Sequence, residues 1–199
     1  INLYNDHKKL KKDFKALQAE NFNNSFIISE NEMLKAKIDD IVDSSSEILA
    51  KVLVDKQSPF LKSIIVNRGS KDGIKLGMAV LDEEFLIGKV VEVNFRTSRV
   101  LLLSDLNSKI PISVGPNNVQ SILTGTGEKY GKLLYTQIEK FNLKTGDQIY
   151  TSGSGGIFKS GIPIGKVNFI DDSNGTYVIF HSDFTQLRLV KVILYENLN

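Results

Sequence analysis

The first part of the chain carries apolar side chains at a seven-residue spacing. From Ile1 to Val52 there is neither Gly nor Pro, whereas the rest of the chain holds all 15 Gly and 4 Pro. An apolar seam that repeats every seven residues is typical of a left-handed coiled coil. We therefore predict a coiled-coil helix over residues 1–52. Its expected dimerisation residues are Asn24, Ile27, Asn31, Leu34, Ile38, Ile41 and Ile48.

The two Asn residues on the first seam, Asn24 and Asn31, indicate how such a coil would pair. An Asn at this position lowers stability but pairs with its own copy, which favours a parallel dimer in one register. The alternative is a helix that packs its apolar stripe on its own globular domain. A continuous helix over 1–52 would reach about 75 Å, which is long for the remaining body to cover and favours the dimer.

After Ser58-Pro59 the pattern changes to short apolar runs separated by Gly, Asn and Asp turns. Many short strands at regular spacing are typical of small barrels or sandwiches and not of a βαβ sheet. The predicted strands are Ser63–Asn67, Met78–Leu81, Phe85–Asn94, Arg99–Ser104, Lys109–Val114, Ser121–Thr124, Lys132–Gln137, Gln148–Thr151, Pro163–Asp171, Thr176–His181 and Leu187–Tyr195. Gly115-Pro116 is a candidate hinge between two β units.

Composition and charge exclude several kinds of protein. The net charge is +2, from 25 basic and 23 acidic residues, so no strong global field attracts nucleic acid or anionic lipid. Without Cys, zinc loses its usual sulfur ligand. We expect no metal and no cofactor. No run of about 18 apolar residues is present. Because the chain begins at Ile1, we expect it to be a fragment or a processed form.

Two Gly-rich stretches resemble catalytic motifs without meeting their chemistry. Gly125-Thr126-Gly127 before Gly131-Lys132 has the wrong spacing for a phosphate loop and lacks the Ser or Thr that binds magnesium. Gly153-Ser154-Gly155-Gly156 resembles the nucleophile loop of chymotrypsin-like proteases. A serine nucleophile needs a positioned base, and the two His residues are His7 and His181, at opposite ends of the chain. We predict that the chain is not an enzyme.

Three stretches, in order, resemble the MreC family of rod shape-determining proteins. They are SPFLKSIIVNRGSKDGIKLGMAV at 58–80, LIGKVVEVNFRTSRVLLLSD at 86–105 and TGDQIYTSGSGGIFKSGIPIGKV at 145–167. The third is the most specific. The resemblance covers 52–194, and the family has a coiled coil before it. One departure is Lys159, where the family commonly carries Pro.

The resemblance implies a mainly β fold in which a coiled coil precedes two small β-barrels, the second inserted in the first. Applied to this chain, it gives a coil at 1–52, a first barrel from 53–114 and 168–199, and a second barrel from 115–167. It also implies a non-enzymatic scaffold of the cell-elongation machinery on the periplasmic side of the membrane, which dimerises and can assemble further. The resemblance places its membrane anchor in a transmembrane helix upstream of this sequence. The implied partners are a class B penicillin-binding protein, MreD, RodA and MreB.

The surface that meets a partner is predicted only by apolar side chains in turn-rich surroundings. Phe85, Ile157 and Phe158 are the candidates, since apolar side chains on loops can mark binding sites. The alternative is that they belong to the core of the nearest barrel. Two other functions stay open: an adaptor that binds a glycan, for which Tyr150 and Phe158 could stack on a sugar, and a cryptic hydrolase.

Overall fold

In its described residues, the computed structural model of the protein has one α-helix and two closed six-stranded β-barrels. The structure describes residues 2–42, 45–57, 62–134, 143–171 and 175–195. The elements are α1 (Asn2–Val42), β1 (Ser45–Gln57), β2 (Lys62–Val66), β3 (Ala79–Asp82), β4 (Phe85–Val93), β5 (Ser98–Leu102), β6 (Lys109–Val114), β7 (Val119–Gly125), β8 (Tyr130–Leu134), β9 (Gln148–Thr151), β10 (Pro163–Asp171), β11 (Gly175–Phe180) and β12 (Leu189–Tyr195), with 3-10 turns at Ser70–Asp72 and Ser154–Gly156.

The helix ends ten residues earlier than the sequence predicts. Strand β1 occupies most of the last part of the predicted coil, so Ile48 is a strand residue and not a seam residue. The reason is that residues 48–53 also fit a period of two: Ile48, Ala50 and Val52 pack on the core, while Leu49 and Leu53 point outward. A short apolar run satisfies both periods, and here the barrel decides between them.

The first barrel closes around β1, β12, β3, β4, β5 and β2, in that order, with antiparallel neighbours throughout. The second closes around β10, β11, β8, β7, β6 and β9, also antiparallel. Since β12 follows all six strands of the second barrel, that barrel is inserted in the first. This part of the predicted fold is confirmed.

The boundaries between the barrels differ from the predicted ones. Strand β6 pairs with β7 from Lys109↔Thr124 to Val114↔Val119, so it belongs to the second barrel and Gly115-Pro116 lies in a hairpin turn. The end of β10 and the whole of β11 also belong to the second barrel, which therefore runs from 109 to 180. The chain crosses between barrels at 103–108 and 181–188. The Gly-Pro pair signals a turn in either case, so it could not separate a hinge from a hairpin.

The two barrels are built by the same pairing scheme. Strands β1–β5 of the first correspond in order to β7–β11 of the second, and every neighbour relation is reproduced. The sixth position is filled by β12 in the first barrel and by β6 in the second. The strands β1–β6 form one half of the body and β7–β12 form the other. The last strand of the first half, β6, lies in the second barrel, and the last strand of the second half, β12, lies in the first barrel.

The correspondence extends to single hydrogen bonds. Ile-Gly-Lys-Val occurs at 87–90 in β4 and again at 164–167 in β10. The backbone N–H of Gly77 donates to the carbonyl of Val90 at 2.8 Å, and that of Gly146 donates to the carbonyl of Val167 at 2.8 Å. Both strands have a bulge directly after this Val. Equivalent positions of the two barrels can therefore be compared residue by residue.

The hydrophobic core has two parts. One fills the first barrel with residues such as Ile64, Val80 and Val100. The other fills the second barrel and continues into the side of the first barrel that faces it, through Leu81 and Leu86. Because β3 and β4 are thus covered on both faces, the two barrels share a continuous apolar contact. Burial of this kind stabilises by about 25 cal/mol per Å².

Candidate functional site

Aromatic side chains gather on the outer face of the second barrel. Phe169 on β10 stacks on Tyr177 of β11, with ring centres 4.5 Å apart and planes at 17°. Tyr130 of β8 meets Phe169 edge-on at 6.1 Å. Phe169 is 40% exposed in spite of these contacts. The strand register explains the cluster, because Phe169 pairs with Tyr177 directly and β8 is the next strand.

Lysines surround these rings. The Lys129 ammonium lies over Tyr130, 5.2 Å from the ring centre, and the Lys132 ammonium lies over Tyr177 at 5.7 Å. Both distances allow cation–π attraction. Lys166 lies two register pairs further along, opposite Ile179. We call this surface the aromatic face, and it consists of Lys129, Tyr130, Lys132, Lys166, Phe169, Tyr177 and Ile179.

The same position in the first barrel is chemically different. After the equivalent bulge, Glu92 pairs with Arg99, where the second barrel has Phe169 and Tyr177. The Arg99 guanidinium donates to the Glu92 carboxylate at 2.9 Å. This hydrogen bond and a second one from Asn94 lower the pKa of Glu92. The first barrel therefore closes with a solvated ion pair at this position, so the fold does not require aromatic rings at the equivalent position of the second barrel.

A cleft of about 430 Å³ opens between the barrels beside the aromatic face. We call it the inter-barrel cleft. Its residues come from both barrels and from both connections between them: Lys62, Leu102, Ser104, Gly127, Glu128, Lys129, Ile179, Phe180, His181, Ser182, Asp183, Phe184 and Thr185. Phe184 packs against both parts of the core, and its ring lies 5.0 Å from that of Phe180.

The two connections show why the cleft is open on one side. In the first, Asp105 is 1% exposed and its carboxylate accepts from the backbone N–H of Lys62 at 2.7 Å. The equivalent pair in the second connection is Asp183 and Lys129. There the Asp183 carboxylate accepts from the backbone N–H and the hydroxyl of Thr185, at 2.9 and 2.7 Å, and those hydrogen bonds lower the pKa of Asp183. Among the described residues, Lys129 does not donate to it.

The three predicted partner residues lie in different surroundings. Phe158 is 3% exposed and belongs to the core of the second barrel, so the structure contradicts its prediction as a surface anchor and supports the core alternative. Ile157 is 37% exposed on the Gly-rich turn. Phe85 is half-buried, with its ring 4.8 Å from that of His181. Neither belongs to the aromatic face, and their role in binding remains a prediction.

The predicted dimerisation residues lie on α1 except for Ile48. The helix exposes large apolar side chains along the described part, among them Leu10, Leu17 and Ile27. The side-chain amide of Asn31 donates to the carbonyl of Ile27, one turn earlier, at 3.1 Å. The side chains of Leu34, Ile38 and Ile41 lie outside the described part of the structure. Pairing through this helix remains a prediction.

The protease-like residues are not arranged for catalysis where the structure describes them. Ser154 lies in an exposed 3-10 turn and donates its backbone N–H to the Ser152 hydroxyl at 3.2 Å. The Nε2 atom of His181 is 3.1 Å from the side-chain oxygen of Gln148, in the second barrel. Burial, and then the nearby Lys166 charge, lower the pKa of His181. No described hydrogen bond joins Ser154 to His181.

The described residues offer neither a cluster of metal ligands nor a helix suited to crossing a membrane. They contain no group of three or more His, Cys, Asp or Glu side chains that could hold a metal ion. None of the described helices combines the length and apolar character that crossing a bilayer requires.

The aromatic face was missed in the sequence because its residues come from three separated runs. Tyr130, Phe169 and Tyr177 each look like one residue of an alternating strand, and only the pairing of β8, β11 and β10 brings them together. A signal was present in the repeated Ile-Gly-Lys-Val stretch. Aligning the two copies places Glu92 against Phe169 and shows that the second strand has an aromatic ring where the first has a charge.

The fold and the inserted second barrel define the class of this protein as a tandem β-barrel protein whose barrels are preceded in sequence by a helix. The family model described as "Rod shape-determining protein MreC, barrel core" matches residues 52–194. The chain therefore belongs to the MreC family, whose curated members are cell shape-determining proteins.

Similar proteins support the assignment. The chain is 35% identical to the cell shape-determining protein MreC of Caulobacter vibrioides over 149 residues, which are 74% of this chain and 42% of that protein. It is 30% identical to the crystal structure of MreC from Pseudomonas aeruginosa, with a TM-score of 0.70 over 75% of this chain and 99% of that one. A complex between Penicillin-Binding Protein (PBP2) and MreC from Helicobacter pylori shares the fold, at 18% identity and a TM-score of 0.57, over 77% of this chain and 99% of that one. The chain thus spans less than half the length of the Caulobacter relative.

Proposed function

We propose that this chain is the periplasmic part of a non-enzymatic scaffold that binds a class B penicillin-binding protein through the aromatic face of its second barrel. Family membership supports a role in cell shape. The Helicobacter pylori relative, which is described in complex with such a partner, makes that class of protein the first candidate. The scaffold would regulate peptidoglycan synthesis by holding the enzyme and performing no chemistry itself.

One observation carries the proposal. Phe169 is 40% exposed and stacks on the half-buried Tyr177 at a position where the first barrel has the Glu92–Arg99 ion pair. Exposed aromatic area is unfavourable in water, and aromatic residues are enriched at the centres of protein interfaces. Because the same barrel design closes without these rings, the demands of folding do not account for them. Binding to another protein does.

A glycan is a weaker candidate for this surface. Sugar rings stack on a free aromatic face, but Tyr177 is covered by Phe169 on one side and has the Lys132 ammonium over its ring. Of the two residues predicted to stack on a sugar, Phe158 is buried and Tyr150 is half-buried. The alternative of a glycan-binding adaptor therefore has less support than a protein partner.

The test of the partner surface compares equivalent positions in the two barrels. Tyr177→Ala should weaken binding to the soluble domain of the class B penicillin-binding protein from the same cell by about thirtyfold, the usual effect of truncating an interface anchor. Arg99→Ala is the matched control in the first barrel and should leave affinity unchanged. Affinity would be measured by calorimetry and folding by thermal melt. A folded Tyr177→Ala variant with parental affinity would remove the aromatic face from the interface.

The helix is proposed to make the scaffold a parallel dimer. The double variant Leu34→Asp/Ile41→Asp places four charges in the dimer seam and should give monomers in sedimentation. Ser29→Asp/Ala36→Asp adds the same charge off the seam and should remain dimeric. A parent chain that is monomeric at high concentration would contradict this proposal. The membrane anchor upstream and the partners MreD, RodA and MreB remain predictions from the family resemblance.

A further inference from the structure

The two connections between the barrels differ from each other at the inter-barrel cleft, just as the aromatic face differs from the equivalent surface of the first barrel. Where the Asp105 carboxylate closes the first connection on Lys62, the equivalent Asp183 leaves a gap toward Lys129. We propose that this cleft is an anchor site for one large apolar side chain of a protein partner, carried on a segment that has carboxylates beside it. The inference rests on the proposed function, because the segment would belong to the partner that covers the aromatic face.

The size and lining of the cleft fit an apolar group. Its volume of about 430 Å³ lies in the usual range of ligand sites, about 300–1,000 Å³. Leu102 enters from the first barrel, Ile179 and Phe180 from the second, and Phe184 from the connection between them. A bulky aliphatic or aromatic side chain placed among these groups would lose its contact with water, which is the main source of affinity at apolar sites.

The inter-barrel cleft is continuous with the aromatic face, so the partner proposed for that face is also the expected occupant of the cleft. Ile179 and Lys129 belong both to the aromatic face and to the lining of the cleft. A partner that covers the stacked rings therefore reaches the mouth of the cleft without a gap. The same segment can lie on Tyr130 and insert its next apolar side chain between the barrels.

The charges around this combined surface indicate the chemistry of that segment. This surface carries two carboxylates, Glu128 and Asp183, and four lysines: Lys62, Lys129, Lys132 and Lys166. The Asp183 carboxylate is already hydrogen-bonded to Thr185. No described carboxylate lies within ion-pair distance of these four lysines. Acidic residues beside the apolar anchor would complement this excess of positive charge.

A second feature points to an incoming group. The hydroxyl oxygen of Ser182 is buried in the lining and has no hydrogen-bond partner among the described residues. A buried hydroxyl without a partner is unfavourable, and a polar atom supplied from outside would relieve this. A backbone carbonyl or N–H next to the inserted side chain is suited to do so.

Occupation of the cleft has a mechanical consequence. Its walls come from both barrels and from both connections, so an inserted side chain contacts each barrel at once. The affinity of the partner then depends on how the barrels are arranged, and a change in that arrangement alters binding. A partner that touched only the aromatic face would lack this dependence.

Thiol protection tests the proposal, because the chain contains no Cys and any introduced thiol is unique. Thr185→Cys places a single thiol at the cleft, and Asn107→Cys places one at the equivalent turn of the first connection. The partner domain used above should slow alkylation of the Thr185→Cys variant about tenfold or more and leave that of the Asn107→Cys variant unaffected. A bulky maleimide on Thr185→Cys, attached beforehand, should lower partner affinity by about tenfold or more, while the same adduct on Asn107→Cys should not.

The outcomes separate this inference from the proposed function. If Tyr177→Ala weakens binding but Thr185→Cys stays fully reactive in the complex, the cleft is empty and the inference is wrong while the proposed function stands. If the partner domain does not bind the parent chain, both fail. Protection that grows with the concentration of the chain alone would assign the cleft to a second copy and overturn the inference.

Discussion

The two barrels have the same strand order, the same bulge after the Val of Ile-Gly-Lys-Val and the same exchanged last strand, yet they present different surfaces. At one register position the first barrel has the Glu92–Arg99 ion pair and the second has the stacked Phe169 and Tyr177. At another, Asp105 closes one connection and Asp183 leaves the other open. What the barrels share is required by the fold. What differs is available for function, and both differences lie on the same side of the second barrel.

The largest expected effect tests what the barrels share. A Cβ atom added to Gly88 would lie 2.2 Å from the carbonyl oxygen of Leu101, and one added to Gly165 would lie 2.2 Å from that of Ile179. Since backbone atoms cannot move aside, Gly88→Ala and Gly165→Ala should each lower the free energy of unfolding by about 3 kcal/mol. Denaturant titration measures this.

The control for these variants is Gly156→Ala. Its added Cβ meets no atom within 4 Å, and its positive φ costs only about 1 kcal/mol. If one of the two strand glycines tolerated Ala as well as Gly156 does, the close strand approach would not be common to both barrels, and the comparison would fail there.

An intermediate effect tests the connections. Asp105→Ala removes the acceptor of the Lys62 and Asn107 hydrogen bonds from a buried site, and we expect a loss of about 2–3 kcal/mol in the free energy of unfolding. Asp183→Ala, at the exposed equivalent, should cost clearly less. Chemical denaturation of both variants measures this. Equal losses of unfolding free energy would contradict the view that a buried Asp carboxylate stabilises only the first connection.

The smallest effect concerns pH. Because the folded-state pKa of Glu92 is lowered, its ion pair with Arg99 stabilises the fold above the unfolded pKa of about 4.5 and loses this contribution as pH falls through the lower folded value. The melting temperatures of the parent and Arg99→Gln should therefore differ slightly at pH 7 and converge at acid pH. At the equivalent place in the second barrel, Phe169→Leu should shift the melting temperature by the same amount at both pH values, since the Phe169 side chain carries no ionisable group.

Much of this fold was predictable from local pattern. The change from helix to strands, most strands and the inserted barrel follow from turn residues, apolar alternation and family resemblance. The end of the helix was not predictable in the same way, because Ile48 and Val52 satisfy both a seven-residue and a two-residue period. Closure of the barrel, a long-range contact, selects the strand.

The candidate site depended almost wholly on three-dimensional pairing. Phe158 looked like a surface residue because Gly and small polar residues surround it in sequence, but distant strands bury it. Phe169 and Tyr177 looked like ordinary strand residues, and neither their stacking nor their exposure follows from a single run. Their exposure becomes notable only when β10 is compared with the equivalent strand β4, where the Glu92–Arg99 ion pair occupies the same position.

The most direct measurement transfers the first barrel's pair to the second. The double variant Phe169→Glu/Tyr177→Arg gives the second barrel the residues that its equivalent already uses. It should fold with a melting temperature close to that of the parent and bind the penicillin-binding protein domain about thirtyfold or more weakly in calorimetry. A folded double variant that binds with parental affinity would contradict the central claim that the aromatic face exists for the partner.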